Sequence, residues 1–491
     1  MPTPHFLKNL YGTSLALLTD LYELTMAYGY WKKGIAQKQS IFHLFFRKKP
    51  FGGSFAIAAG LDTALEYIES FHFSESDLEY LAQLKDRRGG RLFEQGFLDT
   101  LAALKLTCSI DAVPEGTVVF PYEPLLRVQG PILQAQLLEP ALLNIINFQT
   151  LIATKAARIC FAAHGDSVIE FGTRRAQGID GALSASRAAF IGGCESTSNV
   201  LAGKFFDIPV SGTIAHSWVL AFSEEEKSFE AYAESMPYNC MFLLDTYDTI
   251  EGAKRAITVA KRLRERGGEF SGVRLDSGDL ARLSIEVRKL LDEAGFRDAR
   301  IMASNELDEF LIRDLKSQGA KIDLWGVGTH LVTGKEQPAL DGVYKLAAIE
   351  TESGTWEYKI KVSEAFAKTT DPGLLQVRRF LKEGIPIVDM IYDLETPLPE
   401  TCHIMDPLDM HRVFSARAED PHRDLLIPAM DKGSRLYPLL SLKKIQEHTK
   451  CELAQIPEPM RRFLNPEPPK MGMEESLYRK KQSMVQTLRR S

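Results

Sequence analysis

Four segments place chemically active side chains directly after short runs of residues that favour β-strands. They are Val168–Arg174 (VIEFGTR), Val210–Trp218 (VSGTIAHSW), Val273–Asp279 (VRLDSGD) and Leu324–Thr329 (LWGVGT). Barrel enzymes assemble their catalytic groups on the loops that follow parallel strands. Together these loops supply arginine, aspartate, histidine, threonine and glycine amides, so the pattern predicts a site that binds phosphate groups.

His216 and the Arg274/Asp276 pair are the main catalytic candidates. His216 follows Gly212 and Thr213, and it could act as a general base, a metal ligand or a phosphate-accepting nucleophile. A surface or helix-capping histidine is the alternative. Arg274 and Asp276 are two residues apart on a strand, so their side chains share one face. This spacing favours an arginine that binds phosphate and an aspartate that binds ribose hydroxyls or Mg²⁺. An ion pair at a strand end is the alternative, and the small residues that follow favour the functional interpretation.

Three further segments add groups that could bind a ligand. Gly326–Thr329 offers backbone amides to a phosphate at the start of a helix, with a plain tight turn as the alternative. Arg174–Arg175 would place two cations beside Phe171, or would simply begin a helix. Ser304–Asn305 ends another strand, where a helix N-cap is the simpler explanation. The repetition of one layout, rather than any single motif, supports the functional interpretation.

The composition excludes several classes of protein. The chain has 491 residues, of which 45% are hydrophobic and 25% charged, enough for two or three domains. A net charge of −6 and a pI of about 6.0 argue against electrostatic nucleic-acid binding. We find no signal-peptide pattern and no apolar stretch of membrane-spanning length, which predicts a cytoplasmic protein without membrane partners. The six cysteines form no CxxC pair, so neither a zinc cluster nor a disulfide framework is predicted.

Secondary-structure patterns predict an α/β fold. Residues 1–140 mix helices with antiparallel strands, and Ala141–Phe161 has the spacing of a long helix. Strand-like runs then alternate with helical ones, which indicates a parallel sheet closed, or nearly closed, into a barrel. Two of the predicted strands are Phe190–Gly193 and Ile208–Ser211. We therefore predict an irregular α/β barrel (residues 141–343) and an N-terminal α+β domain (1–140) that is completed by C-terminal segments (344–491), with a loosely ordered tail from Pro457 onward.

Long motifs carry a resemblance to a known family. EFGTRRAQGIDGALSASRAAFIGG, STSNVLAGKFFDIPVSGTIAHSW, VRLDSGDL and LWGVGT resemble segments of the nicotinate phosphoribosyltransferases. LLTDLYELTMAYGY and IFHLFFRKKPFGGSFAIAAGL are similar to the N-terminal part of that family, and YKLAAIE and KTTDPGLLQVRR to its C-terminal part. The resemblance covers residues from about 15 to about 390, and the segment after about 400 carries no motif that we assign.

The resemblance implies a reaction and its partners. Such an enzyme joins nicotinate to 5-phosphoribosyl 1-pyrophosphate, releases nicotinate mononucleotide and pyrophosphate, and serves the salvage branch of NAD biosynthesis. ATP would be a co-substrate whose hydrolysis is coupled through a phosphohistidine, and Mg²⁺ a cofactor. The implied assembly is a homodimer, with no nucleic-acid or membrane partner.

The resemblance also implies roles for single residues. His216 would be the histidine that ATP phosphorylates, Arg274 would bind near nicotinate and pyrophosphate, and Asp276 would bind the ribose hydroxyls. Phe171 would stack on the pyridine ring, and Tyr22 would cover the other face from the partner subunit. The nicotinate carboxylate would contact Arg174 and Thr213. The cradle for the 5′-phosphate and ribose would consist of Ser304, Asn305, Gly326, Gly328 and Thr329. No residue is assigned as a metal ligand.

Two alternatives remain at this stage. A nicotinamide phosphoribosyltransferase would favour an acidic group near the ring, for which Glu195 is available. We expect Glu195 instead to point away and pair with a basic group. A non-catalytic, barrel-derived nucleotide-binding protein would be expected to lack His216, Arg274 or Asp276, and all three are present. The carboxylate that orients His216 cannot be named from the sequence.

Overall fold

The protein forms two compact units in the computed structural model, which describes residues 6–364, 368–406, 409 and 411–490. The first, called here the parallel-sheet unit, comprises residues 152–338. The second, called the discontinuous unit, comprises residues 6–151 together with 339–490. Within the described ranges, no helix is both long and apolar enough to cross a membrane.

The strands alternate with helices in the middle of the chain and cluster together near both ends. In chain order the strands are β1 (Gln39–Phe46), β2 (Ala56–Ile57), β3 (Ser109–Ala112), β4 (Val118–Val119), β5 (Leu126–Pro131), β6 (Ser167–Glu170), β7 (Ser196–Thr197), β8 (Cys240–Leu243), β9 (Phe270–Leu275), β10 (Arg300–Ala303), β11 (Leu324–Val327), β12 (Gly342–Glu350), β13 (Trp356–Tyr358), β14 (Leu375–Lys382), β15 (Ile385–Asp393), β16 (Thr401–Met405), β17 (Val413–Arg417), β18 (His422–Asp424), β19 (Ile427–Asp431), β20 (Ser434–Arg435) and β21 (Met471–Glu474).

The helices range from single turns to one of 25 residues. In chain order they are α1 (Phe6–Tyr11), α2 (Leu21–Lys32), α3 (Leu61–Ser70), α4 (Glu75–Gln83), α5 (Gln95–Ala102), α6 (Ile132–Leu137), α7 (Glu139–Ala163), α8 (Ile179–Ile191), α9 (Val200–Phe206), α10 (His216–Leu220), α11 (Glu225–Ser235), α12 (Thr249–Glu265), α13 (Leu280–Glu293), α14 (Glu309–Ser317), α15 (Thr329–Val332), α16 (Leu442–Gln455), α17 (Glu458–Arg461) and α18 (Glu475–Arg490).

The parallel-sheet unit is built on one six-stranded sheet in the order β7-β6-β11-β10-β9-β8. Every neighbouring pair in it is parallel. All residues of β8 and β11 are buried, as expected for parallel strands covered on both faces. Because parallel strands end on the same side, the loops that follow them gather along one edge of the sheet.

Three helices of this unit begin with an aspartate whose side chain accepts hydrogen bonds from the first turn. These N-caps are Asp248 of α12, Asp279 of α13 and Asp308 of α14. An N-cap of this type contributes about 1 kcal/mol to the helix. The Asp279 of the VRLDSGD segment is therefore a structural residue, and it fixes the point at which the loop after β9 must end.

Two predicted strands of this unit are wrong. The segment Phe190–Gly193 continues α8, which runs to Ile191 and ends where the Gly192 amide donates to the Ala188 carbonyl. A Cβ at Gly192 would lie 2.3 Å from the carbonyl oxygen of Ala153, so the glycine marks a close helix–helix approach rather than a strand. The segment Ile208–Ser211 keeps a single parallel bridge, between Thr197 and Val210.

The discontinuous unit contains two larger sheets and the short pair β2–β4. One has seven strands in the order β13-β12-β1-β5-β3-β19-β20, and all its neighbours are antiparallel. The other has six strands in the order β17-β16-β21-β15-β14-β18, in which β15 and β21 run parallel. Each sheet draws strands from distant parts of the chain.

The C-terminal tail is ordered, so the prediction of a loosely ordered tail is wrong for its final segments. Residues Met471–Glu474 form β21, inserted between β16 and β15. The helix α18 follows, with Leu477 and Val485 buried, and the Lys481 ammonium lies 2.5 Å from the Asp371 carboxylate. The many charged residues of this helix concealed its buried face, because only a narrow apolar stripe is needed to hold it.

Candidate active site

The loops at the carboxyl edge of the parallel sheet hold most of the residues that the sequence predicts. Apart from the segment that leads into α10, these loops follow strands of the sheet, whose parallel direction brings them to one edge. The predicted residues in this unit are Phe171 and Arg174 after β6, Thr213 and His216 before or within α10, Arg274 and Asp276 at the end of β9, Ser304 and Asn305 after β10, and Gly326, Gly328 and Thr329 at the end of β11.

Arg274 is the centre of a hydrogen-bonded cluster. Its Nε donates to Ser304 Oγ at 2.9 Å, and one terminal nitrogen donates to Thr213 Oγ1 at 2.8 Å and to the Ile214 carbonyl at 3.1 Å. The other terminal nitrogen lies 3.0 Å from Asp276 Oδ1, which also accepts from the Ser304 hydroxyl. The guanidinium thus joins three loops. The ion pair weighed as an alternative is present, and it belongs to this larger cluster.

His216 opens the short helix α10 and faces a second carboxylate. Its Nε2 lies 3.3 Å from Asp245 Oδ1, and Asp245 Oδ2 accepts a hydrogen bond of 2.5 Å from the Ser277 hydroxyl. The His216 side chain is 40% exposed, whereas that of Asp245 is 3% exposed. A buried carboxylate that is held by a hydroxyl can orient a more exposed imidazole and fix its tautomer.

Asp245 is a site residue that the sequence reasoning missed, although a signal for it exists. The polar residue at the strand end and the helix cap three positions later recur with the same spacing. This spacing is found in Asp245/Asp248, Asp276/Asp279 and Asn305/Asp308. In each case the second residue begins a helix, which leaves the first beside the carboxyl edge of the sheet.

Among the residues that the structure describes, two groups of side chains have atoms close enough to hold a metal ion. His216, Asp245 and Asp276 offer ligand atoms that lie within 4.8 Å of one another. Their two carboxylates are the hard oxygen ligands that Mg²⁺ prefers, and Mg²⁺ usually completes its shell with water and phosphate oxygens. The second group contains Glu336, which already lies 2.6 Å from the Lys155 ammonium. The first group therefore fits a divalent cation better.

The close approach of Phe171 to the sheet requires a glycine at position 326. A Cβ there would lie 2.6 Å from Phe171 Cδ2 and 3.4 Å from Ser304 Cβ. The Phe171 amide donates to the Val327 carbonyl at 2.8 Å, and the ring packs on an apolar cluster that includes Ile169. The aromatic ring is consequently held in a fixed position beside the arginine cluster.

Glu170, immediately before Phe171, is a second residue that the sequence reasoning missed. Its buried carboxylate accepts hydrogen bonds from the Gly172 amide, from Ser186 Oγ at 2.8 Å and from Thr197 Oγ1 at 2.5 Å. Burial raises the pKa of this carboxyl group, and the hydrogen bonds oppose the shift. Glu170 therefore ties β6, α8 and β7 together just where the aromatic loop begins.

The remaining candidates are Arg174, Tyr22 and Glu195. Arg174 lies in the turn after β6 with an exposed side chain. Tyr22 lies in α2 of the discontinuous unit and is 49% exposed; burial and the neighbouring Glu23 raise the pKa of its phenol. Glu195 accepts a hydrogen bond of 2.7 Å from Ser167, the first residue of β6. Glu195 thus points away from the carboxyl edge as expected, but its partner is a hydroxyl and not a basic group.

Family models cover most of the chain. The model of the nicotinate phosphoribosyltransferase N-terminal domain matches residues 17–147, that of the nicotinate phosphoribosyltransferase family matches residues 167–359, and that of the C-terminal domain matches residues 376–481.

Individual relatives match over nearly their whole length. The chain is 44% identical over 480 residues to the nicotinate phosphoribosyltransferase of Bacillus subtilis, covering 96% of this chain and 95% of the relative. It is 34% identical over 514 residues to that of Homo sapiens, covering 92% and 93%. The crystal structure of human nicotinic acid phosphoribosyltransferase superposes with a TM-score of 0.83 at 31% identity, over 95% of this chain and 99% of that one.

Proposed function

Because the chain belongs to the nicotinate phosphoribosyltransferase family, we propose that it joins nicotinate to 5-phosphoribosyl 1-pyrophosphate, releases nicotinate mononucleotide and pyrophosphate, and so serves NAD biosynthesis. The observation that carries this function is the Arg274 cluster, which presents a guanidinium, a carboxylate and two hydroxyls at one edge of a parallel sheet. We also infer that the sheet belongs to an irregular α/β barrel and that the enzyme acts as a homodimer.

The chemistry needs positioning and charge more than a strong base. Pyrophosphate leaves C1 of the ribose through a transition state with oxocarbenium character, and the ring nitrogen of nicotinate is already a nucleophile. Catalysis of such a step rests on orientation and electrostatic stabilisation. Arg274 would stabilise the departing pyrophosphate, while Asp276 would bind the ribose hydroxyls from the same face of the strand.

Nicotinate would bind beside the aromatic loop. Phe171 would stack on one face of the pyridine ring, and Tyr22 of a second copy of the chain would cover the other. Arg174 and Thr213 would contact the carboxylate. The carboxylate that could have selected an amide is Glu195, which accepts a hydrogen bond from Ser167 at the start of β6. It therefore points away from the proposed ring site, and this favours an acid substrate over the amide.

ATP would act through His216. With Nε2–H directed at Asp245, the Nδ1 lone pair is available to attack the γ-phosphorus of ATP. The bond from that phosphorus to the bridging oxygen breaks, and ADP leaves. A phosphohistidine would add roughly −1.5 to −2 charges beside Asp276, so it can change how the ribose and pyrophosphate are held. When Mg²⁺ is bound, Asp245 and Asp276 would hold it, and it would neutralise phosphate charge.

The proposal is tested by measuring mononucleotide formation with nicotinate and with nicotinamide, each with and without ATP. We expect a strong preference for nicotinate and a stimulation by ATP that His216→Ala abolishes. Arg274→Ala should lower kcat/KM by at least about a hundredfold, since it removes several charge-assisted hydrogen bonds of about 1.5–3 kcal/mol each. Arg282→Ala is the matched control, because this exposed residue of α13 pairs with Glu286 one turn away. Equal rates for the two pyridines would contradict the proposal.

A further inference from the structure

A glutamate side chain lies against Thr329, one residue of the predicted phosphate cradle. Glu306 follows Ser304 and Asn305 in the loop after β10. One of its carboxylate oxygens accepts a hydrogen bond of 3.1 Å from the hydroxyl of Thr329, a predicted cradle residue. The other accepts from Lys335 Nζ at 3.1 Å and lies 3.3 Å from His330 Nε2. Lys335 Nζ also lies 3.1 Å from His330 Nε2. A hydroxyl and an ammonium thus donate to one anionic group, and the imidazole lies beside them.

His330, which lies beside this carboxylate, is held by a second carboxylate on its other side. His330 Nδ1 lies 2.7 Å from Glu336 Oε1, and Glu336 Oε2 lies 2.6 Å from the buried Lys155 ammonium. Burial acts to raise the pKa of Glu336, but the hydrogen bonds and charge of Lys155 and the bond from His330 lower it to about 2. The His330 side chain is 12% exposed. Its Nε2 is therefore fixed toward the site, as expected for a ring oriented by a carboxylate.

The Glu306 side chain is held less firmly than His330. It is 52% exposed, so solvent can receive it if it leaves. Both Asn305 (φ 84°) and Glu306 (φ 36°) adopt left-handed backbone conformations, which side chains other than glycine rarely take. Strained backbone of this kind is characteristic of functional loops that have a second arrangement.

We propose that Glu306 is an internal occupant of the 5′-phosphate site, which the phosphate group of 5-phosphoribosyl 1-pyrophosphate must displace in order to reach Thr329 and Lys335. This inference rests on the proposed function and adds to it a competition that selects ligands carrying a phosphate group. A carboxylate and a phosphate monoester compete for the same donors, and the two negative charges repel one another at contact distance. The phosphate prevails because it carries more charge and more acceptor oxygens.

The test is the sign of the effect of Glu306→Gln on phosphate binding. We would measure the Kd of ribose 5-phosphate by titration calorimetry, together with the KM values of both substrates. Removing the competing charge should tighten ribose 5-phosphate binding about threefold to tenfold, as expected for a partly exposed ionic interaction, and leave the KM of nicotinate unchanged. Lys335→Met should weaken ribose 5-phosphate binding by about tenfold. Glu293→Gln is the control, since this exposed glutamate of α13 pairs with Lys289 one turn away.

Two results would overturn the proposal. An unchanged Kd in Glu306→Gln would show that Glu306 forms an ordinary surface ion pair. Weaker binding would show that Glu306 is itself a ligand of the substrate. The calorimetric measurement uses neither nicotinate nor turnover. A wild-type enzyme that binds ribose 5-phosphate but forms no mononucleotide would therefore refute the proposed function and leave the role of Glu306 to be decided by the variants.

Discussion

Replacing Asp245 by asparagine should separate the energy-coupling role of His216 from the rest of the site. Asp245 offers one oxygen to His216 Nε2 at 3.3 Å and the other to the Ser277 hydroxyl at 2.5 Å. In Asp245→Asn the amide oxygen would keep the serine, which leaves the NH₂ group facing the imidazole. The ring would then carry its proton on Nδ1, and the lone pair proposed to attack ATP would be lost.

The size of the effect follows from the charge and the exposure of the pair. A hydrogen bond to a charged group contributes about 1.5–3 kcal/mol. The His216 side chain is 40% exposed, so screening by solvent favours the lower end of that range. About 1.5 kcal/mol corresponds to roughly a tenfold change in rate, and the unfavourable tautomer adds to it. We expect phosphoenzyme formation and ATPase activity to fall about 10- to 100-fold.

The assay compares three reactions in the same preparation. Acid-labile phosphoenzyme and ADP release should both fall, whereas mononucleotide synthesis without ATP should fall much less, since Arg274 keeps its partners and the Asp276 carboxylate remains to hold Mg²⁺. Asp248→Asn is the control: it makes the same change three residues later, at the N-cap of α12, where asparagine caps as well as aspartate. Phosphoenzyme formation at the wild-type rate in Asp245→Asn would refute the orienting role.

Three further predictions concern stability and the ring site. Burial, together with a nearby arginine, lowers the pKa of His43 to about 3. Because the unfolded histidine titrates near pH 6.5, stability is lost as the pH falls below that value, by about 2 kcal/mol between pH 6.5 and 5.0; His43→Gln should flatten the pH dependence of the melting temperature. Lys155→Met should destabilise the fold by about 3–5 kcal/mol, since it removes one partner of the buried Glu309 carboxylate and the partner of the partly exposed Glu336. The same change at the exposed Lys254 should cost less than about 0.5 kcal/mol in urea unfolding. Gly326→Ala should displace the adjacent aromatic ring and raise the KM of nicotinate by about tenfold, whereas Gly181→Ala, with open space around it, should not.

The sequence predicted which residues form the Arg274 cluster better than it predicted the hydrogen bonds between them. Strand alternation places Arg274 and Asp276 on one face, and both do meet at the carboxyl edge. That Arg274 also binds Thr213 and Ser304 depends on the order of the strands. Strand order is set by long-range packing, and a single sequence does not display it.

The errors in the fold have the same origin. The segment Phe190–Gly193 has apolar residues that suit either a strand or the end of a helix, and contact with α7 decided between them. Residues Met471–Glu474 became a strand because they fill a gap between β15 and β16, some 80 and 70 residues earlier in the chain. Local composition carries no information about such a gap.

The recurring three-residue spacing shows what could still be read from sequence. An aspartate that caps a helix is recognisable because it precedes an amphipathic run, and the chain must cover the distance from the strand to that cap in few residues. The polar residue three positions before the cap is then forced to the edge of the sheet, whichever strand it follows. Applied to the loop after β8, this rule selects Asp245 and rejects Asp248 as the group that faces His216, which the observed contacts confirm. Applied to the loop after β10, the rule selects Asn305. Glu306 is an exception to the rule, because it is the next residue along and yet contacts Thr329 at the same edge. The left-handed backbone at Asn305 and Glu306 makes this contact possible.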